Sequence, residues 1–139
     1  MTVQILLIKP DPDDAARMRQ RLAGCGHPVD VALSAEAALS MVEQKPYDMA
    51  FVDLAAAFPP ERGESGGLLE QLKKYRPQIQ LVGLTHRNSR ELELSARREG
   101  VIFYMIQPAD DAYIEPIVRY VAGQLQGRKE RRLHKRWIS

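Results

Sequence analysis

Short apolar runs alternate with longer segments whose apolar residues recur every three or four positions, and the pair repeats five times along the chain. The first run, Val3 to Ile8, is apolar on both faces, as a central parallel strand must be. It stops at Lys9-Pro10, and a helix follows. Asp11 stands as its N-cap, Pro12 at its first position, and Asp13 and Asp14 face the positive end of the helix dipole. Met18, Leu22 and Cys25 fall at i, i+4 and i+7, and Gly24 or Gly26 closes the helix. Pro28 to Leu33 forms a second strand. Ser34 then caps a helix from Ala35 to Gln44, with Ala38, Leu39, Met41 and Val42 as its buried stripe.

The third strand is Tyr47 to Leu54, followed by an irregular stretch, Ala55 to Gly67, rich in Pro, Gly and charge. Leu68, Leu69 and Leu72 mark a third helix that ends before Pro77. Ile79 to Thr85 is the fourth strand. A polar helix runs from about Ser89 to Glu99 and stops at Gly100. Val101 to Ile106 is the fifth strand, and Gln107-Pro108 follows it. The last helix starts near Asp110 and carries Ile114, Ile117, Val118, Val121 and Leu125 on one face.

Five strands and five helices in strict alternation call for a three-layer α/β/α domain, a doubly wound parallel sheet with helices on both faces. Functional crevices in such sheets lie beyond the carboxyl ends of the strands. Lys9, Pro10, Asp11, Asp53, Thr85, Gln107 and Pro108 stand there. A chain of 139 residues is one domain of ordinary soluble composition. The single cysteine, Cys25, rules out an internal disulfide framework and a multi-thiolate metal site, and suits a reducing cytoplasm. Neither a signal peptide nor an apolar run of spanning length is present, so a cytoplasmic location is expected. The net charge of +2 is unevenly placed: residues 128–136 hold six Lys or Arg against one acid.

These strand ends resemble those of response-regulator receiver domains of two-component signalling, and the likeness covers residues 3 to about 125. Asp53 closes Tyr-Asp-Met-Ala-Phe-Val-Asp-Leu, which looks like the family's phosphoacceptor segment. Leu84-Thr85 looks like the hydroxyl-bearing end of its fourth strand. Gly100, Tyr104 and Pro108 fall where the family has a helix-end glycine, an aromatic switch residue and a cis proline. The resemblance implies the flavodoxin-like strand order 2-1-3-4-5. It also implies phosphoryl transfer to Asp53, with Mg²⁺ held by two acids at the end of strand one and by Asp53 itself. The chain departs from that pattern at Lys9-Pro10, where the acidic pair belongs, and at Gln107, where a lysine belongs. The loop after Asp53 is also about five residues longer than usual.

Each residue carries two readings. Asp53 is a nucleophile, or a leftover carboxylate that Lys9 neutralises in place of the metal. Asp11 could replace a missing metal ligand, but an N-cap role explains it without function and is favoured; Asp13 and Asp14 are dipole partners. Thr85 binds phosphoryl or merely bonds nearby backbone, the first being slightly preferred. Tyr104 is a rotamer switch or a half-buried strand aromatic with a wet hydroxyl, the second if no phosphorylation occurs. Gln107 lines the pocket without charge. His86 is more readily an exposed loop residue than part of the pocket rim.

Two functions are set side by side. One is a degenerate receiver, not an enzyme, that works as a protein-interaction module with Mg²⁺ doubtful. The alternative is a conventional phospho-accepting receiver, the amino-terminal part of a larger regulator. Residues 1–125 would form the receiver and 126–139 a basic helical extension or interdomain linker. The implied partners are a histidine kinase or another signalling protein, and a second copy through the face of helix four, strand five and helix five. Neither direct nucleic-acid binding nor membrane association is expected.

Overall fold

The computed structural model describes residues 2–58 and 67–138, with side chains described as far as Arg128. Five strands, β1 (Ile5–Ile8), β2 (Val29–Ala32), β3 (Met49–Asp53), β4 (Gln80–Thr85) and β5 (Val101–Ile106), form one sheet in the order β2-β1-β3-β4-β5. Every pairing is parallel. Five helices connect and follow them: α1 (Pro12–Ala23), α2 (Ala35–Gln44), α3 (Leu68–Tyr75), α4 (Arg90–Arg98) and α5 (Ile114–Ile138). This is the flavodoxin-like, doubly wound arrangement expected from the alternation.

Because successive strand residues point to opposite faces, the sheet feeds two separate cores. Leu6, Ile8, Ala50, Val52 and Leu81 join Ala38 and Val42 of α2 and Leu69 and Leu72 of α3. Ile5, Leu7, Met49, Phe51 and Val82 join Met18 and Leu22 of α1 and Ile114, Ile117, Val118 and Val121 of α5. Burial on both sides makes β1 and β3 near-continuous apolar runs.

Local caps set the helix starts. Asp11, Ser34 and Ser89 accept from the backbone N–H of Asp13 (3.0 Å), Ala37 (3.1 Å) and Leu92 (3.2 Å) respectively. Gly100, at φ 105°, turns the chain from α4 into β5, a conformation that disfavours any side chain.

The strands begin and end within one or two residues of expectation, and several of the differences have a local cause. β1 pairs from Ile5 rather than Val3, and β3 begins at Met49, because Tyr47 and Asp48 are occupied with other partners. Tyr47 Oη donates to Asp30 at 2.7 Å, and Asp48 Oδ2 accepts from Gln4 N at 2.8 Å. Within the stretch expected to be irregular, Leu54–Ala57 forms a single helical turn; residues 59–66 of that loop lie outside the described residues. A 3₁₀ turn, Asp111–Tyr113, precedes α5, which then continues without a break into the basic segment.

Candidate functional site

The register brings the chemistry to one level. Ile8 pairs with Val52, Asp53 with Leu84, and Thr85 with Ile106, so Lys9, Asp53, Thr85 and Gln107 leave the sheet together. The cis bond between Gln107 and Pro108 turns the chain at the end of β5.

Asp53 is half-buried and its Oδ1 accepts from Ala55 N at 2.9 Å, so it caps the single turn that follows it. Gly83 on β4 permits that turn to lie against the sheet: a Cβ there would meet the Leu54 side chain at 3.1 to 3.3 Å. The phosphoacceptor candidate is thus held by its own loop.

Lys9 is 2% exposed. Its Nζ lies 3.8 Å from Asp14 Oδ2. The expected pairing of Lys9 with Asp53 is therefore corrected: among the described residues its ion pair is with Asp14. The physical reason is the short β1–α1 connection. The cap at Asp11, two residues after Lys9, starts α1 at Pro12, which brings the first helical turn, and Asp14 on it, to the end of β1.

Asp14 is the hub of this corner. Arg17 hydrogen-bonds its Oδ1, and His86 Nε2 lies 3.3 Å from Oδ2. The Arg17 hydrogen bond holds the Asp14 carboxyl below its ordinary range; desolvation works against this, and Lys9 adds to it. One carboxylate therefore faces three nitrogen-bearing side chains, from the end of β1, from α1 and from the β4–α4 loop. His86 is an exposed residue of the β4–α4 loop, as favoured, and it also stands at the rim of the crevice beside Lys9. Asp14's role as more than a dipole partner was not legible; the only available signal was the i,i+3 spacing to Arg17.

Asp11 spends Oδ1 on the N-cap, the favoured reading. Thr85 is buried, and its hydroxyl donates to Arg87 O at 2.9 Å while accepting from Arg87 N at 3.0 Å. Its own loop uses this hydroxyl. Tyr104 is half-buried, and its hydroxyl is not left to solvent: it donates to Ser89 O and accepts from Ser89 N, both at 3.3 Å. Two hydroxyls thereby staple the β4–α4 loop. Gln107, 8% exposed, donates from Nε2 to Asp111 Oδ1 at 2.9 Å, while its buried Oε1 has no partner among the described residues.

A Mg²⁺ ion needs several oxygen ligands, carboxylates foremost. At the end of β1 stand an ammonium and a proline. Asp11 and Asp53 each spend one oxygen on a backbone cap. Among the described residues no group of three or more His, Cys, Asp or Glu is placed to hold a metal. The donor set does not fit the ion that the resemblance implies.

No family model matches the chain. It is 28% identical over 110 residues to the transcriptional regulatory protein ZraR of Salmonella typhimurium, and 27% identical over 110 residues to that of Klebsiella oxytoca. The match takes in 78% of this chain, which spans about a quarter (24%) of the length of those relatives. Among solved structures it superposes on a CheY-like response regulator receiver domain protein from Methanospirillum hungatei with a TM-score of 0.76, at 23% identity, covering 91% of this chain and 99% of the other. The corresponding values for NtrX from Brucella abortus are 0.80, 23%, 100% and 30%. A response regulator from Burkholderia pseudomallei, solved with a phosphorylated aspartic acid, calcium ion and citrate, gives 0.71, 22%, 91% and 72%. The fold is that of response-regulator receiver domains.

Proposed function

We propose that this chain is a receiver domain of a two-component response regulator in which Mg²⁺-dependent phosphorylation of Asp53 is impaired, and that it acts as a regulatory protein-interaction module. The observation that carries the reading is Lys9: a buried lysine, paired to Asp14, stands at one of the two positions where metal-holding acids belong, with Pro10 at the other. Receiver domains are generally signalling modules rather than enzymes. Partners are expected among histidine kinases and other signalling proteins. The exposed aromatic face of α4, β5 and α5, with Tyr113 and Tyr120 beside Phe103, favours self-association as a second copy's docking surface. Residues 1–125 form the module in this reading, and 126–139 an extension of α5. No described helix is long and apolar enough to cross a membrane.

Intact-protein mass spectrometry after incubation with a small acyl phosphate, with and without Mg²⁺ and beside Asp53→Asn, tests the proposal. No adduct, under conditions that label an intact receiver, is the expected result. A Mg²⁺-dependent single phosphorylation that disappears in the variant overturns it in favour of the conventional receiver. Restoring the family pattern with Lys9→Asp, Pro10→Asp and Gln107→Lys together is expected to create labelling at Asp53.

A further inference from the structure

Beside Lys9 a crevice of about 420 Å³ opens between α1 and the β5–α5 connection. Its charged wall is made by Lys9, Asp14, Arg17 and His86, and its apolar wall by Met18, Pro108 and Ile114. That volume falls in the range of small-molecule sites.

The wall holds cations and carboxylates in near balance, and its distinguishing feature is how they are paired. Arg21 is engaged with Glu115 on α5, at 3.0 Å and 3.4 Å. Asp111 accepts from the neutral amide of Gln107 and keeps its charge. Asp14 faces Lys9, Arg17 and His86. Lys9 is the least satisfied of them. An ammonium has three N–H donors, and Asp14 Oδ2 at 3.8 Å lies outside hydrogen-bond distance. A buried cation of this kind is costly unless oxygens close to bonding range surround it.

We propose that this crevice binds a small oxyanion of phosphate chemistry, as free phosphate or as the head of a phosphate monoester. Its oxygens accept from Lys9 Nζ, with Arg17 as a flanking cation and the His86 ring at the rim. The remainder of a monoester lies against Met18, Pro108 and Ile114. The site is non-covalent and separate from Asp53, which is not among the residues lining the crevice. The inference builds on Lys9 as a charge placed outside the usual pattern, and it stands whether or not Asp53 is phosphorylated.

The test is titration of the isotope-labelled chain with inorganic phosphate and, separately, with glycerol 3-phosphate, which is not a phosphoryl donor, at ionic strength fixed with chloride. Saturable shifts at the amides of Lys9, Asp14, His86 and Gln107 are expected. Lys9→Met should weaken binding by about tenfold or more, the loss of a charge-assisted hydrogen bond. His86→Gln should weaken it less, and guards against a folding defect in the first variant. Tighter binding of the ester identifies an organic phosphate as the ligand; equal binding identifies the free ion. Shifts that fail to saturate, that chloride reproduces, or that survive both substitutions overturn the proposal. The mass-spectrometric assay of Asp53 reads a different event, so the two readings fail independently.

Discussion

The two ends of the sheet each carry a carboxylate shared among cationic or hydroxyl donors, yet they are built to different standards. At the amino ends, Asp30 on β2 receives Lys45 Nζ at 2.8 Å and Tyr47 Oη at 2.7 Å, all three within bonding distance and open to water on one side. At the carboxyl ends, Asp14 faces Lys9, Arg17 and His86, and the most buried of them, Lys9, stands 3.8 Å away. The first cluster closes its hydrogen bonds within the protein and needs nothing else. The second leaves the Lys9 ammonium beyond hydrogen-bond distance of its counter-ion. An ion pair held that long beside an open crevice marks the place where a ligand or a partner group can act.

The largest expected effect comes from removing the hub. Asp14→Asn keeps the shape but strips Lys9 of its counter-charge, and breaking a buried pair from one side costs several kcal/mol. Asp14 is about a quarter exposed, so water recovers part of this. Urea denaturation should show a loss of about 2 kcal/mol. A loss no greater than for Asp30→Asn would mean that the two ends are equivalent and would dissolve the contrast.

The reverse change should act in the opposite direction. Lys9→Met replaces a poorly bonded ammonium with an apolar chain of similar length, and buried ions exchanged for packed apolar groups are often neutral or stabilising. A gain of about 1 kcal/mol in the same urea experiment is expected. Destabilisation instead would show that Lys9 is well compensated where it stands. Together these two variants separate cost from function, because Lys9→Met should raise stability while abolishing the anion site.

Much of this arrangement was legible in the chain, and the part that was not has a common cause. Caps and turns are local, so Asp11, Ser34, Ser89 and Gly100 announce themselves by residue type and spacing. Strand positions follow from burial on both faces, so all five were legible, with end shifts of one or two residues. Lys9 is different. Its four-carbon stem reaches several acids, and which one it meets depends on how closely α1 settles over β1. The same holds for Thr85 and Tyr104, whose hydroxyls find backbone groups of the β4–α4 loop instead of an anion or solvent. Residue type alone placed these groups at the pocket, and tertiary geometry chose their partners.

At the amino ends the effects shrink. The Asp30 carboxyl is held below its ordinary range chiefly by the hydrogen bond from Lys45, then by that from Tyr47. A depressed folded pKa contributes stability above the unfolded carboxylate value, and this is lost as pH falls through the folded one. Lys45 and Asp30 are both more than a third exposed, so solvent screening reduces the contribution of that pair. Asp30→Asn should cost about 0.5 kcal/mol at neutral pH, and the difference from wild type should vanish in acid. A difference that persists below the carboxylate range would point to packing rather than charge.

The smallest effect tests whether the amino end is as complete as Asp30 suggests. Glu99, at the end of α4, is half-buried, and its Oε2 has no partner among the described residues. Burial, and secondarily the charge of Glu70, pushes its carboxyl above the ordinary value. The sign is opposite to that of Asp30. A raised folded pKa favours the protonated form, so the associated stability is fully present below the unfolded pKa and is lost as pH rises through the folded one. At neutral pH the ionised group is a liability. Glu99→Gln, which supplies a neutral amide of the same size, should therefore raise stability at neutral pH by about 0.5 kcal/mol and change little in acid. The two pH profiles should then slope in opposite senses across the carboxylate range: Asp30→Asn loses its deficit in acid while Glu99→Gln loses its gain. If Glu99→Gln is instead destabilising at neutral pH, the ionised carboxylate is bonded in solution, and the amino end is as fully satisfied around Glu99 as it is around Asp30.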